Sequence, residues 1–230
     1  APLAAYGDYI LFGRLGEDRV LLNIGGIANF TFFLCNPENI LCTDVGPGNT
    51  MMDAFMQQQF PGRSYDQDSA VAKLGMVNND LLVTLKENDF FKQDFPKTTG
   101  PELFNLEYLQ QAKQQSKTQQ LSVEDTMATL NRFSADTIVA AIKDCIKDKT
   151  EVKIIGSGGG IHNPLLMQHL QQQLTACSFV NIESFGIDPD AKEAILFAIL
   201  ANETVCGNTS LEKPAKGIPN VSMGKISFPV

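Results

Sequence analysis

The chain has 230 residues, 43% of them hydrophobic, and 18 Lys and Arg against 26 Asp and Glu, a formal net charge of -8. That acidity argues against sequence-independent nucleic-acid binding, which needs clustered cations to displace phosphate counterions. No apolar run of about eighteen residues occurs, so nothing reads as a membrane span, and the length allows one large domain or two small ones.

Residues 6–12 fit a short helix or a strand equally well. Val20–Ile24 is an apolar strand, Gly25-Gly26 a turn and Ala28–Leu34 a second apolar strand. A third, Ile40–Thr43, runs into Asp44-Val45-Gly46-Pro47-Gly48-Asn49. Short connections make these three an antiparallel meander. Asn49 is placed to cap a helix towards Phe60 with its side-chain oxygen, and Pro61-Gly62 ends it. Met51, Met52, Phe55 and Met56 form its core-facing stripe. Helices are expected over Asp66–Leu74, Asp80–Glu87 and Leu103–Ala112, with a polar glutamine-rich end at 110–120. Ser122 and Asp125 resemble a capping box opening a long helix to Ile146. Its Met127, Leu130, Phe133, Ile138, Ala141, Ile142 and Cys145 keep helical spacing. Val152–Ile155 is a strand, followed by a glycine run and a helix from Pro164, with Asn163 as its cap, through Leu174. Phe179–Glu183 is a strand and Ala191–Val205 a final helix. The tail is turn-rich, with Ile226–Phe228 an edge-strand candidate. Strands first, then helix–strand alternation, predict a mixed sheet covered by helices on both faces, with a helical insertion over about 60–120.

Glycine turns after strands bring bare backbone N–H groups close to a ligand. Gly156–Gly160 has that setting but matches neither GxGxxG nor GxxxxGK[ST]. Asp44, at a strand end, is either a helix cap or a general base. Glu193 sits where a helix dipole favours an acid. Lys97 and Arg63 are loop cations. Only two histidines, His162 and His169, are present, which argues against a histidine-rich metal centre and a Ser-His-Asp triad. The five cysteines, Cys35, Cys42, Cys145, Cys177 and Cys206, form no CxxC pair. With no secretory signal they read as reduced thiols in a cytoplasmic protein. Ala1-Pro2-Leu3 lacks an initiator methionine, which reads as processing or as a fragment.

Taken together, Asn23-Ile24-Gly25-Gly26-Ile27-Ala28-Asn29, Asp44–Asn49, Thr98–Asn105, Gly158–Met167 and Glu193–Ala198 resemble the anhydro-N-acetylmuramic acid kinase family, in order and spacing, over essentially the whole chain. The resemblance implies an RNase H-like (actin-like ATPase) fold, in which two such domains close on ATP. It implies that Asn23, Gly25, Gly26 and Asn29 hold phosphate, and that Gly158, Gly159, Gly160 and Asn163 hold the adenosine side. It puts Gly46, Gly48, Asn49, Thr99 and Gly100 on the sugar. Asp44 matches the catalytic base, and Glu193 an acid that positions water. The family reaction opens 1,6-anhydro-N-acetylmuramic acid with water and phosphorylates O6, using ATP and Mg²⁺ and no metal site of the protein's own. A cytoplasmic homodimer without nucleic-acid or membrane partners is implied. Family members begin with a GTSxDG-like phosphate loop that nothing here matches, so this chain is expected to be the C-terminal domain of a two-domain kinase. The rival expectations are a non-catalytic homologue or fragment that binds sugar or nucleotide only, and another kinase or phosphatase of the superfamily. Val45 and Ser157 replace the usual Thr and Cys. The stretch 188–192 departs from the commoner acidic version.

Overall fold

Gly25 and Gly26 turn one apolar strand back on the next. β1 (Arg19–Ile24) and β2 (Ile27–Phe33) pair antiparallel, and β3 (Ile40–Pro47) pairs antiparallel with β2. β4 (Val152–Ser157) runs parallel to β1, and β5 (Cys177–Asn181) parallel to β4. The sheet order is β3-β2-β1-β4-β5: the expected mixed five-stranded sheet of an RNase H-like domain, beginning with the meander. The computed structural model describes residues 2–13, 16–33, 40–147, 149, 151–188, 191–206 and 226–227, with the side chains of residues 2–6 and of Glu193 outside that description.

Successive strand residues point to opposite faces. Val20, Leu22, Ile24, Phe30 and Phe32 meet α5 (Val123–Ile146) and α6 (Pro164–Gln173) through Ile138, Val139, Ile142, Leu166 and Leu170. Leu21, Phe33 and Ile155 meet Phe12 of α1 (Pro2–Phe12) on the other face. Thr31 Oγ1 donates to Asp8 Oδ2 at 2.8 Å, tying α1 to β2. Lys192, at the start of α7 (Lys192–Cys206), pairs with Asp8 at 2.6 Å. Helices thus lie on both faces.

The insertion has its own core. The Met51, Met52, Phe55 and Met56 stripe of α2 (Thr50–Gln59) is buried, as its spacing predicts. It packs with Leu81 and Leu85 of α3 (Asn79–Lys86), with Leu109 of α4 (Leu106–Gln115), and with Phe90, Phe104, Met127, Leu130 and Phe133. The N-terminal half of α5 therefore lies in this core and its C-terminal half on the sheet. One helix fixes the insertion relative to the strands, and from Thr126 to Val139 it is buried on nearly every side, with only Arg132 and Asp136 partly exposed.

Several boundaries move, each for a local reason. Asp66–Leu74 is not one helix but two short 3₁₀ turns, Gln67–Ser69 and Ala72–Leu74. Asp68 and Ser69 both take left-handed φ of 55°, which no continuous helix tolerates. Asp66 instead accepts from the N–H groups of Val71 and Ala72 at 2.8 and 2.9 Å, a local bond that competes with helix. α4 starts at Leu106 because Asn105 Oδ1 takes the N–H of Tyr108. Ser122 caps α5 as expected, taking the N–H of Asp125 at 3.0 Å. Residues 6–12 are helical, within α1. β5 ends at Asn181, and Ile182–Phe185 is a 3₁₀ turn. Ile226 and Ser227 carry no regular structure, and Phe228 lies outside the described residues. Among the described residues no helix is long and apolar enough to cross a membrane.

Candidate functional site

Register brings the polar residues of the strands into one row. Ser157 of β4 stands opposite Asn23 of β1, Asn23 opposite Asn29 of β2, and Asn29 opposite Asp44 of β3. Directly paired residues share a face. This row lies on the α1 side, since Asn23 alternates with Leu22 and Ile24 and follows Leu21 at a spacing of two. Asn29 faces Asp44 while Ala28 faces Gly46, so β3 carries one extra residue there, Val45. The bulge lets Val45 bury on the α5 face while Asp44 stays in the polar row.

Asp44 is held by the loop that returns from the insertion. Its N–H donates to the Lys97 carbonyl at 3.0 Å, and Lys97 N–H donates to Thr43 Oγ1 at 2.9 Å. Asp44 Oδ2 then accepts from Thr98 Oγ1 at 2.8 Å and from Thr99 N–H at 2.9 Å. The carboxylate is half-buried and its orientation is set, while Oδ1 has no partner among the described residues. Thr99 Oγ1 is buried and unpartnered beside it. Asp44 is thus a strand residue held by two donors, not a helix cap. Gly100, next in the loop, accepts from the N–H groups of Leu103 and Phe104.

The glycine hairpin and the start of α2 are locked together. Gly48 and Thr50 N–H donate to the Gly26 carbonyl at 2.8 and 3.0 Å, and Asn49 N–H to the Gly25 carbonyl at 2.9 Å. These remote carbonyls do what the Asn49 side chain was expected to do. Asn49 makes no side-chain cap bond, and its Nδ2 reaches the Ile24 carbonyl at 3.4 Å. The carbonyls being spent inward, the N–H groups of Gly25 and Gly26 have no partner among the described residues. Nothing among the described residues requires glycine there. Neither has positive φ, and an added Cβ meets nothing nearer than 3.6 Å at Gly25 and 3.7 Å at Gly26. Gly159 is the same, with Asn49 Nδ2 nearest at 3.9 Å.

Other glycines serve packing. A Cβ on Gly158, which has φ +81°, would lie 2.6 Å from Asn23 Oδ1, and one on Gly160 would strike Ile24. Gly46, placed on the sugar by resemblance, has φ +147° and packs at Thr137 and Phe91. Gly48, placed there too, spends its N–H on Gly26 and its carbonyl on Ser134 Oγ at 2.8 Å.

A cavity of about 350 Å³ opens between α2 and the Gly158–Asn163 turn. It is lined by Asn49, Met52 and Asp53, by Tyr65, Asp66 and Asp68, and by Gly159, His162 and Asn163. Asn163 Oδ1 is fully used: Leu166 N–H, Asn131 Nδ2 and Ser69 Oγ donate to it at 2.9, 2.9 and 2.6 Å. Its Nδ2 has no partner among the described residues. Asn49, expected on the sugar, here shares a cavity with Gly159 and Asn163. Asp53 was not singled out from sequence. Its signal is position, an acid four residues after Asn49 and so on the same helix face, outside the methionine stripe.

Burial pushes the Asp53 carboxyl up from 3.8 to about 6. The folded chain therefore keeps a proton there that the unfolded chain releases between those values. The associated stability is fully present below about pH 4 and is lost as pH rises through 6. A rise of that size corresponds to about 3 kcal/mol, and the half of the group that faces solvent reduces this to about 1 kcal/mol. Asp53→Asn is expected to stabilise the protein by about that much at pH 7.5 and not at pH 4, read from urea midpoints. An equal change at both pH values would refute it.

The loop cations do not join the site. Lys97 Nζ donates to the Phe90 carbonyl at 3.0 Å and sits 4.6 Å from the Phe90 ring centroid, and burial pulls its pKa down. Arg63 stacks on Phe60. Glu193 lies in α7, its side chain outside the described residues. A wider depression of about 820 Å³ at the far end of the sheet, by Glu17, Lys153 and Cys177, contains no residue singled out for chemistry. Among the described residues no three His, Cys, Asp or Glu gather closely enough to hold a metal ion.

A family model described as anhydro-N-acetylmuramic acid kinase matches residues 1–226. The anhydro-N-acetylmuramic acid kinase of Pseudoalteromonas atlantica is 53% identical over 100% of this chain and 58% of its own length. That of Pseudoalteromonas translucida is 51% identical over 99% of this chain and 58% of its own length. The Francisella tularensis subsp. novicida kinase is 38% identical over 99% and 60%. The chain thus spans less than two thirds of the length of these relatives. Matched from residue 1 to 226, and half identical to two named relatives along its whole length, the chain belongs to the anhydro-N-acetylmuramic acid kinase family.

Proposed function

We propose that the protein carrying this chain transfers the γ-phosphoryl group of ATP to 1,6-anhydro-N-acetylmuramic acid while water opens the anhydro ring. Family membership supports the kinase class. The observation that carries the nucleotide reading is Gly25, Gly26 and Gly159, three glycines that neither backbone strain nor internal packing requires. Their bare backbone leaves room for something outside the chain, and the free N–H groups of the hairpin suit phosphate oxygens. Asn23 and Asn29, paired in register on the strands that the hairpin joins, are assigned to the same phosphates. Mg²⁺ would be carried on the nucleotide's phosphates, where it offsets charge.

Asp44 is assigned the base. Its free Oδ1 takes a proton from water as the water oxygen bonds to C1. The C1–O6 bond breaks, O6 keeps the electron pair and bonds to the γ-phosphorus, and the bond to ADP breaks. Thr98 and Thr99 fix the carboxylate so that one oxygen stays turned out, a positioning effect that lowers the barrier without new chemistry. Thr99 Oγ1 and the Gly100 loop are assigned to the sugar, and Gly46 and Gly48 to holding the loop that presents Asp44. Glu193 is kept as the proposed water-positioning acid. The test is formation of sugar 6-phosphate from ATP and the anhydro sugar by the protein at its full natural length. Phosphate release from ATP without phosphorylated sugar would overturn the reading.

A further inference from the structure

We propose that Asp53 binds the ribose hydroxyls of the phosphoryl donor, making the cavity between α2 and the Gly158–Asn163 turn the site where the nucleotide's sugar is read. This rests on the nucleotide reading above. A carboxylate only accepts hydrogen bonds, and Asp53 receives none from the described residues. Asp66, beside it, has both oxygens taken by Val71 and Ala72. Asp68, Tyr65 and His162 are solvent-exposed on the rim. Among the described residues Asp53 is therefore the half-buried carboxylate of the cavity wall that the fold leaves unused, facing a space at the small end of the range for ligand cavities, about 300–1,000 Å³. The opposite wall offers the free Nδ2 of Asn163.

Position selects the ribose over the base. Asn49 is bonded through its N–H to the Gly25 carbonyl of the hairpin, and Asp53 is one turn further along α2, about 6 Å. The ribose hydroxyls are the donors a nucleotide carries nearest its phosphates, whereas an amino group on the base lies beyond the glycosidic bond. Two vicinal hydroxyls also match the two oxygens of a carboxylate, and hydrogen bonds to a charged acceptor are the stronger kind.

The experiment measures binding of ATP, 2′-deoxy-ATP and 3′-deoxy-ATP to the protein at its full natural length, as wild type, Asp53→Ala and Asp53→Asn. Wild type is expected to prefer ATP to each deoxy nucleotide by about tenfold. Asp53→Ala should weaken ATP by about that factor and the deoxy nucleotides by less than about twofold, removing the preference. The isosteric Asp53→Asn should reduce the preference too, and it serves if the alanine protein does not fold. An equal loss for all three nucleotides in the variants, or a wild type blind to the hydroxyls, overturns the assignment of Asp53 alone. A wild type that binds none of the three overturns the nucleotide reading with it.

Discussion

Asp44→Asn is expected to lower kcat by about a thousandfold while leaving the protein folded and able to bind its sugar. The substitution is nearly isosteric. An Asn oxygen can still accept from Thr98 Oγ1 and Thr99 N–H, the two bonds that orient the side chain. What changes is the other atom. The outward carboxylate oxygen becomes an amide nitrogen, which cannot take a proton from water. Geometry is kept and basicity is lost, so the variant separates the proposed chemical role from the structural one. The measurement is turnover with ATP and 1,6-anhydro-N-acetylmuramic acid, with sugar binding followed by calorimetry. A variant retaining more than about a tenth of wild-type kcat would remove Asp44 from the base role. Loss of sugar binding in step with turnover would make it a sugar ligand instead.

Asp44 also shows where sequence reasoning reaches and where it stops. The apolar runs of β1 and β2 and the glycine pair between them identify two strands and their turn without further help. β3 is longer than its apolar run, because Asp44, Gly46 and Pro47 have the composition of a strand end. It continues because Ala28 and Ile27 pair with Gly46 and Pro47 beyond the bulge, and such pairing is a long-range property. The row Ser157, Asn23, Asn29, Asp44 likewise exists only once register is known. The Asp66–Leu74 stretch keeps helical apolar spacing, yet the Asp66 carboxylate takes the N–H groups that a helix needs there. Asn49 has the identity and place of a cap, but backbone carbonyls 24 residues earlier in the chain reach its helix first. Asp53 was silent for a related reason. Its half-buried carboxylate depends on the Tyr65–Asp68 turn and the Gly159–Asn163 turn closing over α2, and no local pattern encodes that closure.

The hairpin glycines and Gly48 look alike in sequence and are expected to respond in opposite ways. At Gly48 an added Cβ would fall on the Gly25 carbonyl oxygen, with Ala28 N at 3.3 Å. Both neighbours are backbone. Neither can swing aside like a side chain, and Gly48 itself is tied to Gly26 and to Ser134. Gly48→Ala must therefore part the hairpin from the start of α2. That is overpacking near the upper end of its usual cost, about 3 kcal/mol. For a chain of this size it corresponds to a fall in Tm of about 6–12 °C. Gly26→Ala meets only Thr50 Cβ, at 3.7 Å, and its backbone is not in the left-handed region. Its stability should stay within about 1 kcal/mol of wild type, while its methyl group stands where phosphate is proposed to lie and ATP binding weakens. Thermal melts and ATP titrations of both variants check the pair. A Gly48→Ala protein as stable as wild type would mean that the hairpin and α2 are not locked as described. A Gly26→Ala protein with undiminished affinity for ATP would move the phosphate away from the hairpin. The two glycines are joined directly, Gly48 N–H to Gly26 carbonyl, so opposite outcomes from so small a separation would distinguish glycine kept for the fold from glycine kept for a ligand.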